Sequence, residues 1–125
     1  ACAVRKNAYA PYSNYQVGAA LITEKSPEIF TGCNVENASY GATICAERGA
    51  IMAAIAALGE MKISSLVLVT RDPAPPCGMC LQVISEFSTP GTQIILATPE
   101  NIYSEKNFSE FLPHQFSPFD PKDTP

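Results

Sequence analysis

Cys77 and Cys80 stand three residues apart directly behind Pro75 and Pro76, at the start of a stretch that predicts a helix, so both thiols fall on one helix face. Two thiolates placed in this way can share one metal ion. The unpaired N–H groups and the dipole of a helix start also lower thiol pKa values and keep sulfur ionised near neutral pH. A second helix start, Cys45-Ala46-Glu47, offers a third thiol with a carboxylate beside it. Three thiolates around Zn2+, each at about 2.3 Å, leave one tetrahedral position open for water, which is the arrangement of catalytic rather than structural sites. Zinc draws the pKa of bound water toward roughly 7, although three charged sulfurs weaken that pull. Glu47 then has a task, carrying protons between the water and a substrate, with a pKa raised by the nearby thiolates.

Blander readings of the same residues stand beside this one. A C-x-x-C pair also marks redox dithiols. Cys33 could serve as a fourth ligand and close the site into a structural one, though next to Gly32 in a strand pattern it reads better as core filling. A carboxylate in the first turn of a helix is favourable through the dipole alone. Cys2 carries no evident role.

The elements that must position these residues follow from periodicity. Residues 1–10 show a short helical pattern in Ala1, Val4, Ala8 and Tyr9 that stops before Pro11, and it reads as the end of an N-terminal helix clipped at its start. The apolar run from Val17 to Ile22 and the stretch from Ile29 to Val35, separated by Lys25, Ser26 and Pro27, predict a hairpin. Thr43 to Leu58 predicts a long helix ended by Gly59, apolar nearly all round and therefore buried. Ile63 to Thr70 predicts a central strand covered on both faces. A helix from Gly78 to Phe87, a strand from Gln93 to Ala97, an edge strand around Ile102 and a short helix near Phe108 complete the series. This order predicts an α/β fold, a three-layer α/β/α sandwich around a mixed five-stranded sheet. Residues 113–125, rich in proline, read as an extended tail.

A chain of 125 residues with 46% hydrophobic content suffices for one core, so residues 1–125 are expected to form a single domain. With 8 Lys and Arg against 12 Asp and Glu the net charge is -4, and the pI is near 4.8. Such a chain has no field to hold a polyanion, which argues against nucleic acid as a partner. Five cysteines are an odd number, better suited to metal or redox chemistry than to a disulfide framework. Neither a secretory leader pattern nor an apolar run of about 18 residues is present, so a cytoplasmic enzyme without membrane contact is the expectation.

The pattern C-x-E followed by P-C-x-x-C is that of zinc deaminases, in which a Glu that does not bind the metal is the general acid and base. Together with Ala8-Tyr9-Ala10-Pro11-Tyr12-Ser13, the run GCNVENASYGATICAER from Gly32 to Arg48, PCGMC, and Phe111-Leu112-Pro113 with Phe116, the chain closely resembles the small homotetrameric class of cytidine deaminases. The match runs almost end to end. This resemblance implies hydrolysis of cytidine and deoxycytidine to uridine and deoxyuridine with release of ammonia, as in pyrimidine salvage, with one zinc per chain held by Cys45, Cys77 and Cys80. It implies Asn34 and Glu36 on the sugar, whose amide and carboxylate suit hydroxyl groups, and Tyr15 packing on the base where relatives usually carry Phe. It further implies a backbone contact from Ala46 to the pyrimidine, Arg48 beside the thiolates, and Tyr40 and Phe116 completing the active site of a neighbouring subunit in a homotetramer. The chain departs from the family in Pro75, where Ser is common, and in Leu81, where Arg is. A deaminase for a cytosine-containing antibiotic nucleoside, a zinc-stabilised interaction module and a nucleic-acid editing deaminase are the competing functions. Asn34 and Glu36 argue against the first, Glu47 against the second and acidity against the third.

Overall fold

The structure, a computed structural model, describes residues 1–117. Its elements run α1 (Cys2–Arg5), β1 (Gly18–Thr23), β2 (Phe30–Cys33), α2 (Ala46–Leu58), β3 (Ile63–Val69), α3 (Gly78–Glu86), β4 (Gln93–Ala97) and β5 (Ile102–Asn107), with single 3-10 turns at Tyr40–Ala42 and Phe108–Glu110. The strands form one mixed five-stranded sheet in the order β2-β1-β3-β4-β5. Strand β1 runs antiparallel to β2 and to β3, β3 and β4 are parallel, and β5 returns antiparallel on the outer edge.

Strand register sorts the side chains between the two faces. Leu21 lies opposite Leu66 and Ala19 opposite Leu68, and these continue into Ile94 and Leu96. This row is buried against Ala50, Ile51 and Ala54 of α2 and Ile84 of α3. Each large aliphatic side chain so enclosed contributes about 1.5–3 kcal/mol. Gly32 belongs to the same face. A Cβ there would stand 2.4 Å from the Ala46 carbonyl oxygen and 2.4 Å from the Ala50 nitrogen, so the first turns of α2 rest directly on the backbone of β2. Gly18 is paired with Cys33 and marks the opposite face, where an added Cβ would stand 2.2 Å from the Ala1 carbonyl oxygen and 2.8 Å from Arg5 Cβ. The short α1 is thus the third layer, opposite α2 and α3.

Parallel β3 and β4 are joined through α3, and such a crossover opens a crevice at the carboxyl ends of the strands. Val69 and Thr70 end β3 at that edge, and the chain from there to α3 carries Cys77.

Element types and order agree with the sequence expectation, while several boundaries move for identifiable reasons. Helix α2 begins at Ala46 rather than Thr43, because Ile44 is held extended by exchanging both backbone hydrogen bonds with Val35, at 2.9 and 3.0 Å. The helix α1 ends at Arg5, since Tyr9 is drawn into a bridge with Val35. Strand β2 ends at Cys33, and beyond it Val35 forms isolated bridges to Tyr9 and to Ile44. The helix α2 is not buried all round, with Met52 53% exposed on its outer side. Residues 113–117 adopt neither helix nor strand, and the rest of the expected tail lies outside the described residues. Among the described residues no helix is long and apolar enough to cross a membrane.

Candidate active site

Two helix tips meet at the open edge of the sheet. Cys45 is the N-cap of α2 and Cys77 the N-cap of α3, both with extended backbone dihedrals. Their carbonyls begin the helical ladders, accepting from Gly49 N at 3.1 Å and Leu81 N at 2.9 Å. Neither thiol takes a backbone N–H in the usual capping manner, which leaves both sulfurs free for another partner. Cys80, in the first turn of α3, completes a group whose three sulfurs lie within 4.8 Å of one another. Three converging thiols match the donor set of zinc, which binds thiolates at about 2.3 Å. Cys33 does not join them, because its register with Gly18 puts it on the α1 face of the sheet. A closed four-cysteine site is therefore not formed.

The electrostatics of the trio are asymmetric. Cys80 gives a hydrogen bond to Cys45, and with help from Arg48 this brings the Cys45 thiol down to about 5. The same hydrogen bond, with burial and the charge of Glu47, pushes Cys80 upward. Arg48 Nη2 lies 3.4 Å from Cys45 Sγ and also donates to the Thr43 carbonyl at 3.2 Å. Glu47 is only 5% exposed. Burial raises its carboxyl above the ordinary range, and the charge on Cys45 adds to the effect. A carboxyl raised in this way gives up its proton less readily than an exposed one, which suits a group that carries protons at a cavity.

A cavity of about 180 Å³ opens beside these groups. It brings together Tyr15, Asn34, Cys45, Ala46, Glu47 and Cys77 from the sequence expectation, and adds Val17, Thr43, Leu68, Thr70, Ala74 and Pro75. Cys80 is buried behind it. Glu36 and Tyr40 line a second groove of about 360 Å³, together with Tyr12, Ser13 and Asn37, and Thr43 borders both spaces. Phe116 lines neither. It is 73% exposed, and its carbonyl accepts from Gln82 Nε2 at 3.4 Å. Tyr40 is 76% exposed and meets Tyr12 edge to face, with ring centroids 5.9 Å apart.

The polar residues at the cavity rim are bound into the chain. Asn34 is buried, with Oδ1 accepting from Val17 N and Nδ2 donating to the Tyr15 carbonyl, each at 2.8 Å. Glu36 accepts from Tyr12 N at 2.9 Å, from Ser13 N at 3.1 Å and from the Ser13 hydroxyl. These bonds, the Ser13 hydroxyl first among them, hold its carboxyl below the ordinary range. The Tyr15 hydroxyl donates to the Asp72 carbonyl at 3.3 Å, and the Arg71 guanidinium carbon lies 5.0 Å from the centroid of the Tyr15 ring. Val17, Thr70, Ala74, Arg71 and Asp72 were not legible as site residues from their types. Only Thr70 carried a signal, its place at the carboxyl end of an expected central strand.

A family profile described as the cytidine and deoxycytidylate deaminase zinc-binding region matches residues 1–96. A cytidine deaminase of Halalkalibacterium halodurans is 41% identical over 121 residues, covering 95% of this chain and 90% of the relative. Among solved structures, the cytidine deaminase of Burkholderia pseudomallei superposes with a TM-score of 0.81 at 42% identity, covering 91% of each chain. That of Mycobacterium tuberculosis gives 0.79 at 34% identity, covering 94% of this chain and 91% of the other. The fold, the three converging thiols and the likeness over nearly the whole length agree, and the chain belongs to the cytidine deaminase family, zinc-dependent hydrolases of the small class.

Proposed function

We propose that this enzyme deaminates both cytidine and deoxycytidine, serving pyrimidine salvage in the cytoplasm, with Cys45, Cys77 and Cys80 as the zinc ligands and Glu47 as the proton carrier. The observation that carries the reading is the buried Glu47 at the wall of a cavity it shares with Cys45 and Cys77. Cys45, Cys77 and Cys80 would hold the zinc, which when bound would supply a Lewis acid able to acidify water at the cavity. Glu47 takes a proton from the attacking water and delivers it to the ring nitrogen beside C4, then takes the second proton from the hydroxyl now on C4 and passes it to the departing amine. One C–O bond forms, one C–N bond breaks, and ammonia leaves. Arg48 offsets part of the negative charge of the sulfurs through its contact with Cys45.

The Tyr15 ring packs on the pyrimidine and the Ala46 backbone contacts its edge, both at the cavity wall. Asn34 retains one N–H and one acceptor lone pair beyond its two internal bonds, and Glu36 retains about one acceptor position beyond its three. These free positions serve the sugar hydroxyls. The described residues, 1–117, form one deaminase domain. Four copies assemble, with Tyr40 and Phe116 completing the site of a neighbour. A groove of about 430 Å³ lined by Ile44, Ile51, Met52, Ile55, Val83 and Phe87 supports assembly, as does Arg48 Nε, which is buried without a partner among the described residues.

Metal analysis of the purified enzyme with an ammonia-release assay on cytidine, deoxycytidine, cytosine and blasticidin S tests the reading. One zinc per chain with release from the two nucleosides is the expected result. Activity confined to blasticidin S overturns the substrate assignment, and sedimentation as a monomer overturns the tetramer.

A further inference from the structure

Ser13 ends the stretch Ala8–Ser13 and has no part in the chemistry at the metal. Its hydroxyl donates to Glu36 Oε2, 23 positions along the chain, and accepts from Tyr15 N at 3.1 Å. Its own N–H bonds the other oxygen of Glu36. The residue between Ser13 and Tyr15 is Asn14, with φ 55°, the only non-glycine residue in the left-handed region among the described residues. Few non-glycine residues adopt that conformation, asparagine among them, and it persists where surrounding bonds over-determine it. Here the bonds are those to Ser13 and the hydrogen bond from Asn14 N to the Ala10 carbonyl at 2.9 Å. The turn serves no core packing, since Ser13 and Asn14 are exposed. It presents Tyr15 to the cavity and fills three of the acceptor positions of Glu36.

We propose that Ser13 is a positioning residue, its hydroxyl coupling the carboxylate that receives the sugar to the aromatic ring that packs on the base. The inference rests on the proposed assignment of Glu36 and Tyr15 to substrate binding. In this assignment Ser13 acts through these two neighbours, Glu36 and Tyr15, to both of which it is hydrogen-bonded. Their relative placement decides whether base and sugar are held at once, so the coupling appears in substrate binding and not in the chemical step.

The test is steady-state kinetics on zinc-loaded enzyme carrying Ser13→Ala, Ser13→Thr, Glu36→Gln, Tyr15→Ala and the double variant Ser13→Ala with Glu36→Gln. Ser13→Ala is expected to raise KM for cytidine about tenfold, the scale of a charge-assisted hydrogen bond, with kcat within about twofold and zinc content unchanged. Ser13→Thr, which keeps the hydroxyl, is expected to restore most of the loss. The double variant is expected to lose less than the product of the two single losses, because both remove the same link. Multiplicative losses, an unmoved KM in Ser13→Ala, or equal losses in the Thr and Ala variants overturn the inference. If Ser13→Ala does not fold, the Thr variant alone decides, by keeping or losing the wild-type KM. Glu36→Gln and Tyr15→Ala that leave KM unmoved overturn the substrate assignments themselves, a result distinct from failure of Ser13 alone.

Discussion

The two ends of the cavity are built by different means. At the metal end, Cys45, Glu47, Cys77 and Cys80 sit on the first turns of two helices, and α2 is seated on the sheet by backbone contact at Gly32. At the end proposed to hold the sugar, Tyr15 and Asn34 at the cavity and Glu36 in the groove beside it lie on extended and turning chain outside the named strands, held by side-chain hydrogen bonds to backbone. The first construction is rigid because close packing leaves the helix tips few alternative positions. The second is adjustable bond by bond. In the proposed assignment, chemistry that needs several groups fixed at one point is on the packed end, while the end that discriminates ligands is the hydrogen-bonded one.

Substitutions at the two ends should therefore fail differently. Cys80→Ser should have the largest effect, loss of zinc together with turnover, read by metal analysis and ammonia release. Retention of a full zinc complement would break the assignment of the packed end. Glu47→Gln should lower kcat by about 10²–10⁴-fold while zinc stays at one per chain. A variant that loses metal and activity together would make Glu47 a structural residue instead. Gly32→Ala should cost about 1–3 kcal/mol of stability from overpacking, seen as a lowered denaturation midpoint. Gly41→Ala is the control, since an added Cβ there meets nothing within 4 Å. Asn34→Ala, at the hydrogen-bonded end, should raise KM for cytidine and cost about 1–3 kcal/mol, because it leaves the Val17 N–H without its acceptor. An unchanged KM would reduce Asn34 to a brace. Tyr15→Phe should be the mildest, changing KM by less than about threefold, because it removes one long hydrogen bond at an exposed position.

The metal centre is legible in the sequence because its information is local. A C-x-x-C spacing at a helix start, a second thiol-bearing helix start and a carboxylate two residues on each follow from helix geometry within a few residues. The order of helices and strands is legible for the same reason, since apolar periodicity is a local record of burial. Boundaries such as the start of α2 at Ala46 escape, because the bridge of Val35 with Ile44 joins residues nine positions apart.

Chain sequence alone thus determined the groups available for chemistry, three thiols and a carboxylate beside one of them, and the α/β class that carries them. Only tertiary structure decided that Cys33 faces the wrong side of the sheet to bind metal, that Thr70, Ala74 and Pro75 wall the cavity, and that Glu36 and Asn34 spend part of their hydrogen-bonding capacity on the turn bearing Tyr15. The physical reason is range. Strand register and helix seating join residues distant in sequence, and no spacing rule reaches across the fold to say which face a side chain meets.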